Sequence, residues 1–279
     1  MKRRDLLKGT LAAASIASAT ARGDGDDFPG ICDTNVSLFR WPFRRLPLDE
    51  TEKLVEKLRS LGINKALAGS FEGVFHRDLG SANDRLIEEC ARFPELVPAV
   101  TIHPARAGWQ RDLAAATSVV RLHPGYHGYS LDHPGFGELL AITAERGLLV
   151  QLVVALEDPR TQPDLMRVAE VDLSSLPAAM QKAPEAKVQL LNWKARGTLT
   201  NALNAIPNLS FDTALVDGTD AVATLVKTFG PDRVLFGSHA PFLIPEAALL
   251  RVHEAGLKER DQMAILRGNA ESLIQGERA

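Results

Sequence analysis

The chain has 279 residues, of which 45% are hydrophobic, 24% charged and 6% aromatic, a composition that excludes fibres and disordered chains. Its 32 basic and 35 acidic residues give a net charge of −3, which argues against nucleic-acid binding in the absence of a long basic run. Cys32 and Cys90 are too few for a disulfide scaffold, and no apolar run is long enough to span a membrane.

Residues 1–21 are predicted to be an export signal that is not part of the fold. They combine a charged start containing Arg3 and Arg4, a short apolar stretch, and an Ala-Thr-Ala cleavage site at 19–21. The paired arginines resemble a twin-arginine signal, which predicts export to a bacterial periplasm; a frayed basic N-terminus is the alternative. Residues 22–29 are predicted to be a flexible lead into a single domain at 30–279.

From residue 31 onward, short β-rich runs alternate with segments of helical periodicity. The predicted strands cover residues 31–36, 65–71, 96–102, 118–122, 148–155, 187–191, 209–213 and 233–238. The predicted helices follow them at residues 50–61, 82–93, 109–117, 137–146, 173–182, 199–206, 219–229 and 245–255. Eight such pairs predict an α/β fold, a single-domain (β/α)8 TIM barrel. An open doubly wound sheet is the rival fold, but no G-x-G-x-x-G turn follows the first strand.

In a barrel of this type, polar residues at the C-terminal ends of the strands form the candidate site. In the first strand, alternation places Asp33 and Asn35 inside the barrel and Thr34 outside, under the helices. Asp212 ends the seventh strand, but its position alone does not indicate a catalytic or binding role. The same reasoning selects further polar residues at the ends of the other strands: Glu72, Arg121, His123, Gln151, Asn192 and His239.

Three segments carry a family resemblance, and together with the strands between them they cover nearly all of residues 30–275. They are ICDTNVSLFRWPFR at the first strand, NLSFDTALVDG at the seventh, and RVLFGSHAPF followed by ILRGNAESLI near the end. They resemble the amidohydrolase superfamily, in the branch related to aminocarboxymuconate-semialdehyde decarboxylase. The resemblance implies a barrel whose strand-end histidines, together with an aspartate on strand 8, bind a divalent metal, usually zinc, that activates water.

The chain departs from that family pattern at nearly every metal ligand. Asp33 and Asn35 stand where an Asp-x-His-x-His motif is expected, Gln151 and Asn192 replace the histidines of strands 5 and 6, and His239 replaces the strand 8 aspartate. Neutral amides have little affinity for zinc. The sequence therefore predicts that the usual zinc site is lost.

The main hypothesis is a diverged hydrolase that cleaves a small carboxylate-bearing lactone, ester or amide without a metal. His239 would be the general base, because an unperturbed imidazole accepts protons near neutral pH, and Asp33 would orient it. The amides would donate hydrogen bonds to an oxyanion, and Arg121 would bind the substrate carboxylate with His123 beside it. The residues predicted to bind substrate are Asn35, Glu72, Arg121, His123, Gln151 and Asn192.

Two other hypotheses stay open. In one, a divalent metal is held by a rebuilt ligand set of Asp33, Glu72, His123 and His239. In the other, the barrel binds a ligand or partner and has lost catalysis. His103 and His123 both precede prolines, so each could simply set a turn where its strand ends. The oligomeric state is left open.

The segment FRWPFRRLP that follows the first strand has two interpretations. Arg40, Arg44 and Arg45 could form an anion-binding lip, and a solvated basic loop is equally consistent with the sequence. Trp41 and Phe43 are predicted to pack against the protein, which is the more common use of such a pair than a stacking platform.

Overall fold

The computed structural model describes residues 30–195 and 197–274. The signal predicted at 1–21 and the lead predicted at 22–29 lie outside the described residues. The described chain contains eight parallel strands: Ile31–Leu38 (β1), Ile63–Ser70 (β2), Leu96–Thr101 (β3), Val119–Leu122 (β4), Leu149–Val153 (β5), Lys187–Leu191 (β6), Leu209–Asp212 (β7) and Val234–Leu235 (β8).

The strands pair side by side in chain order from β1 to β8. The sheet then closes on itself, because the segment after β8 is hydrogen-bonded to β1. The Thr34 amide donates to the Phe236 carbonyl, and the His239 amide donates to the Asn35 carbonyl, each at 2.9 Å. The predicted single-domain (β/α)8 barrel is therefore confirmed.

Helices surround the barrel, and each predicted helical segment overlaps an observed helix; Leu79–Cys90 and Pro134–Glu145 begin three residues before their predicted starts. The structure adds short helices directly after β2 and β4 and a helical C-terminal stretch. No helix within the described ranges is both long and apolar enough to cross a membrane. The helices are Thr51–Ser60 (α1), Glu72–Phe75 (α2), Leu79–Cys90 (α3), Trp109–Leu113 (α4), Pro124–His127 (α5), Pro134–Glu145 (α6), Leu176–Lys182 (α7), Leu199–Asn204 (α8), Ala221–Phe229 (α9), Pro245–His253 (α10), Glu259–Met263 (α11) and Asn269–Ile274 (α12).

The longer helices bury an apolar stripe against the outside of the barrel, as α1 shows. In α1 the stripe consists of Leu54, Val55 and Leu58, spaced so that they share one side of the helix, and all three are fully buried. Full burial of a leucine or valine side chain contributes about 1.5–3 kcal/mol. This layer packs on the strands from outside. The inner face carries an apolar cluster that includes Val119 and Leu149. Two residues further along β4 and β5, it carries the polar side chains of Arg121 and Gln151.

Strand β1 breaks the alternation that its sequence predicts. Its register against β2 shifts between Asp33 and Val36. The Thr34 hydroxyl accepts a hydrogen bond from the Gln189 amide of β6 at 2.7 Å, and because β6 is not a neighbour of β1, this contact crosses the barrel. The prediction that Thr34 faces the helices is therefore wrong, since an irregular register turns consecutive side chains to the same side.

Candidate active site

Asn35 lies at the centre of a buried polar network at the mouth of the barrel. Its side-chain amide donates to Asn192 Oδ1 at 2.8 Å and to Asp212 Oδ2 at 2.6 Å. Its backbone amide donates to Asp33 Oδ1 at 3.0 Å. The Asn192 backbone amide completes the circuit by donating to Asp212 Oδ1 at 3.0 Å. We call Asp33, Asn35, Asn192, Asp212 and His239 the Asn35 network.

The network brings two buried carboxyl groups into hydrogen-bonding contact with one asparagine. Burial raises the pKa of Asp33 to about 6 and that of Asp212 to about 7, and the negative charge of Asp33 adds to the shift at Asp212. Asp33 Oδ1 also accepts from the Ser238 backbone amide at 3.0 Å, whereas Asp33 Oδ2 has no hydrogen-bond partner among the described residues. One carboxyl group of the pair can therefore be protonated while the other is ionised near neutral pH.

His239 joins the same network, but in a form that makes it a weak base. Its Nε2 lies 2.8 Å from the Leu156 carbonyl, so this nitrogen carries the proton and donates it. Its Nδ1 faces the Asn192 side-chain amide at 3.4 Å. Burial lowers the pKa of His239 to about 4. At neutral pH the imidazole is an uncharged spacer between Asn192 and Leu156, which does not suit the general-base role that the sequence suggests.

The backbone at the mouth supports this arrangement. Asn192 and His239 both have a positive φ, of 60° and 59°, at the ends of their strands. Non-glycine residues rarely adopt this left-handed conformation, although asparagine and histidine do so more readily than most residues. The turn places both side chains over the mouth.

Arg121 lies deeper, inside the barrel, and its donors are already used. Its Nε donates to Gln151 Oε1 at 2.9 Å, and its guanidinium donates to the carbonyls of Val36 at 2.8 Å and Leu67 at 2.9 Å. A Cβ atom at Gly69 would meet Arg121 Nη1 at 2.4 Å, so glycine makes the room that this guanidinium needs. Burial lowers the pKa of Arg121 to about 10. In this position Arg121 ties β1, β2 and β5 together and is not free to bind a substrate carboxylate.

Gln151 belongs to the same internal layer as Arg121. Its side-chain amide donates to the Thr34 carbonyl at 2.6 Å and to Gln189 Oε1 at 2.9 Å. Because its oxygen accepts from Arg121 and its amide is used in this way, Gln151 has no free donor for an oxyanion. The structure therefore separates Gln151 and Arg121 from the Asn35 network above them.

His123 and Glu72 lie outside the Asn35 network as well. His123 is buried, and neither of its ring nitrogens has a partner within the described chain. Burial lowers the pKa of His123 well below its ordinary value. Glu72 is in α2, accepts from Arg85 Nε at 2.6 Å, and lines a surface cavity of about 500 Å³ next to Phe75.

His123 is part of a second polar region at the ends of β3 and β4. Rings in this region stack, with centroids of His103 and His127 4.6 Å apart and those of His103 and Tyr129 5.3 Å apart. Several of their polar atoms, together with Thr101 Oγ1, are buried and have no hydrogen-bond partner within residues 30–195 and 197–274. We call Thr101, His103, His123, His127 and Tyr129 the histidine cluster.

The side chains at the mouth do not fit the zinc site of the family pattern. Asn35 and Asn192 are amides whose hydrogen bonds are satisfied by one another and by Asp212. Both ring nitrogens of His239 face protein groups. Across the described residues, no group of three histidine, cysteine or acidic side chains could hold a metal ion. The rebuilt ligand set of Asp33, Glu72, His123 and His239 is therefore not assembled.

A loop covers the mouth from above. We call residues 39–50, which connect β1 to α1, the lid. Trp41 of the lid is 2% exposed and contacts rings that follow three other strands. Its ring centroid lies 5.2 Å from Phe71, 5.1 Å from Phe242 and 6.2 Å from Tyr126. The sequence interpretation of Trp41 as a packing residue agrees with these contacts, which close the barrel at the Asn35 network.

The lid arginines differ in their partners. Arg44 forms an ion pair with Glu157, whose side chain is 1% exposed, and its guanidinium lies 5.3 Å from the Phe242 ring centroid. Arg45 pairs with Asp49 at 2.6 Å within the lid itself. Of the two open interpretations of this segment, a freely solvated basic loop does not describe Arg44.

Sequence reasoning passed over Asp212, Ser238 and Glu157. Asp212 was visible as the last residue of a strand, but its contact with Asn35 depends on the register across the barrel. Ser238 acts through its backbone amide, which no side-chain pattern reveals. Glu157 lies four residues beyond the end of β5, in a loop whose path the sequence does not specify.

Comparison with known proteins supports the family resemblance. A family model described as amidohydrolase matches residues 42–275. No curated protein sequence matches the chain. Among solved structures, 2,6-dihydroxybenzoate decarboxylase complexed with 2,6-dihydroxybenzoate is similar with a TM-score of 0.69 and 16% identity, over 88% of this chain and 99% of that one.

Two other solved structures extend the comparison. The 5-carboxyvanillate decarboxylase of Sphingomonas paucimobilis has a TM-score of 0.68 and 15% identity, over 88% of this chain and 99% of that one. A candidate 2-pyrone-4,6-dicarboxylic acid hydrolase of Pseudomonas putida has a TM-score of 0.61 and 16% identity, over 88% and 97%. At these identities the likeness shows the fold, and the chemistry has to be argued from the residues of this chain.

Proposed function

Because the chain belongs to the amidohydrolase family, we propose that it is a hydrolase that cleaves a small carboxylate-bearing lactone, ester or amide without the usual zinc. The observation that carries the proposal is the pair of buried carboxyl groups, Asp33 and Asp212, that Asn35 bridges. Their pKa values, raised by burial to about 6 and about 7, suit proton transfer near neutral pH.

In this proposal Asp33 is the proton-transfer group. Asp33 Oδ1 is fixed by the backbone amides of Asn35 and Ser238, which leaves Oδ2 to take a proton from the attacking water. The water oxygen then forms the new bond to the carbonyl carbon. Asp33, protonated by that step, then gives the proton to the leaving oxygen or nitrogen as the old bond breaks. Asp212 stays hydrogen-bonded to Asn35 and Asn192 and holds the Asn35 side chain in place.

His239 is a positioning residue in this scheme. Its Nδ1 faces Asn192, and Asn192 in turn contacts both Asn35 and Asp212. Removing the ring would loosen the amide that holds the carboxyl pair in place. We therefore expect loss of His239 to lower activity less than loss of Asp33.

Substrate access in this proposal requires the lid to move. Trp41 and Phe242 pack at 5.1 Å, and Phe242 also packs on His239 at 5.1 Å, so the closed lid lies directly on the Asn35 network. Closure of this kind excludes water from the reacting groups once a substrate is bound.

One observation favours a second candidate, a barrel that binds a ligand without turnover. The side-chain amides of Asn35 and Asn192 are already hydrogen-bonded to protein acceptors, so neither has a donor ready for an oxyanion. A non-catalytic barrel would bind a small carboxylate and show no activity that depends on Asp33.

A substrate screen separates the two candidates. Purified protein treated with a chelator is tested on lactones, aryl esters and amides that carry a carboxylate, beside Asp33→Asn and His239→Asn. The proposal expects turnover in the wild type, a loss of about 10²–10⁴-fold in kcat for Asp33→Asn, and a smaller loss for His239→Asn. Equal rates for wild type and Asp33→Asn would contradict it, and saturable binding without any turnover would favour the second candidate.

We also propose that the protein is exported to the periplasm, on the basis of the paired Arg3 and Arg4 and the cleavage pattern at 19–21. A fusion of residues 1–30 to a reporter should be exported. Export that survives replacement of both arginines by lysine would contradict a twin-arginine route.

A further inference from the structure

A carboxylate-bearing substrate needs a cation at the mouth, and Arg121 is not available for it. The Arg121 guanidinium is fixed inside the barrel by carbonyls of β1 and β2. Arg44 of the lid is positioned over the mouth instead. Its guanidinium lies 5.3 Å from the Phe242 ring, and Phe242 packs on His239 at 5.1 Å. The rings of Phe242 and His239 thus connect Arg44 to the Asn35 network, which contains the proposed proton-transfer group.

Arg44 already holds a carboxylate, that of Glu157. The Glu157 side chain is 1% exposed, whereas that of Arg44 is 38% exposed. A buried carboxylate is therefore paired with a partly exposed guanidinium. A buried carboxylate without a partner is costly, which makes this pair the natural resting state of both groups. The same geometry shows that the space in front of Arg44 accommodates a carboxylate group.

Two further donors lie in the same cluster without partners. Trp41 Nε1 and the Tyr126 hydroxyl are buried, and neither has a hydrogen-bond partner among the residues described. Their rings are 6.2 Å apart. The Trp41 ring also packs on Phe242, the ring that the Arg44 guanidinium contacts, so Trp41 and Tyr126 belong to the same ring cluster as the ion pair. A bound ligand is one way in which buried polar groups of this kind obtain their missing hydrogen bonds.

We propose that Arg44, the Trp41 indole N–H and the Tyr126 hydroxyl form the subsite that binds the substrate carboxylate, and that Glu157 occupies Arg44 until the substrate arrives. The identity of this ligand as a substrate rests on the proposed function, whereas the binding of a carboxylate does not. Leu156 precedes Glu157 and accepts the hydrogen bond from His239, so displacement of Glu157 acts on the segment that positions His239.

Calorimetric titration with phthalate, compared with its neutral dimethyl ester, tests the subsite. Glu157→Gln keeps the shape of the side chain and removes the competing charge, so phthalate should bind about tenfold or more tightly than to wild type. Arg44→Met in the Glu157→Gln background, which leaves no unpaired buried charge, should abolish this gain. Arg45→Met in the Asp49→Asn background is the matched control, because it removes a second ion pair of the same lid without leaving a buried charge unpaired, and it should leave binding unchanged.

The outcomes separate this inference from the proposed function. Equal phthalate affinity in wild type and Glu157→Gln, or retained affinity in the double variant, would overturn the subsite even if Asp33-dependent turnover is found. Suppose that phthalate affinity rises in Glu157→Gln and falls again in the double variant, but the protein turns over no carboxylate-bearing ester. This result would support the subsite and contradict the proposed hydrolase. Equal binding of the neutral ester would also overturn it, because the site would then not select a carboxylate.

Discussion

Two polar regions at the C-terminal ends of the strands differ in how their atoms are satisfied. In the Asn35 network and the Arg121 layer beneath it, most polar atoms are bonded to one another across the barrel. In the histidine cluster, Thr101 Oγ1 and both ring nitrogens of His123 have no partner within the described chain. The contrast teaches that burial alone does not define a site. In the Asn35 network and the Arg121 layer, removing one side chain leaves buried hydrogen-bonding partners unpaired.

The comparison predicts its largest effect at Arg121. Arg121→Met removes a charge that satisfies the carbonyls of Val36 and Leu67 and faces the carboxyl groups of Asp33 and Asp212. We expect a loss of about 3–5 kcal/mol in the free energy of unfolding, measured by urea denaturation. A decrease in the free energy of unfolding of less than about 1 kcal/mol would show that these hydrogen bonds are dispensable and that they do not hold the Arg121 side chain in place.

Two buried threonines provide a matched pair for the same comparison. The Thr34 hydroxyl donates to the Phe236 carbonyl at 2.8 Å and accepts from Gln189, whereas the Thr101 hydroxyl has no partner among the described residues. Thr34→Val should cost about 1–3 kcal/mol because it takes the acceptor from the buried Gln189 amide, whereas the Phe236 carbonyl keeps its hydrogen bond from the Thr34 backbone amide. Thr101→Val should be neutral or slightly stabilising. Equal costs in urea denaturation would erase the distinction between the two regions.

The pH dependence of stability should have opposite signs for Asp33 of the Asn35 network and His127 of the histidine cluster. The pKa of Asp33 is raised to about 6 in the folded chain, so its contribution to stability falls as pH rises from about 4 to 6. Burial lowers the pKa of His127 to about 4, so its contribution rises between pH 4 and 6.5. Relative to wild type, Asp33→Asn should therefore gain stability with rising pH over this window, and His127→Gln should lose it.

Urea denaturation at several pH values between 4 and 6.5 measures both slopes. Each is bounded by about 1.4 kcal/mol per pH unit for one proton. Parallel curves for wild type and both variants would contradict the assigned directions, and slopes of the same sign would contradict the contrast between Asp33 and His127.

The fold was accessible from the sequence because its signal is local. Each strand and helix is a short periodic segment, and eight repeats of the pair leave few topologies. Alternation failed at Thr34, where the register shifts within β1, because a bulge has no marker in the side-chain pattern.

The candidate site was only partly accessible for the same physical reason. Asp33, Asn35, Asn192 and His239 were found at strand ends and do come together. Their roles depend on contacts across the barrel. The pKa of His239 depends on burial and on the Leu156 carbonyl, a backbone group that residue types cannot reveal.

The central claim, proton transfer by Asp33 without a metal, is tested most directly by the pH profile of kcat in chelator-treated protein. On a carboxylate-bearing ester identified by the screen, the account predicts undiminished activity after chelation and a titration near pH 6 in wild type. It also predicts a loss of about 10²–10⁴-fold in Asp33→Asn with its folded state intact by circular dichroism. Activity that is abolished by chelation, restored by a divalent metal and unchanged in Asp33→Asn would contradict the account.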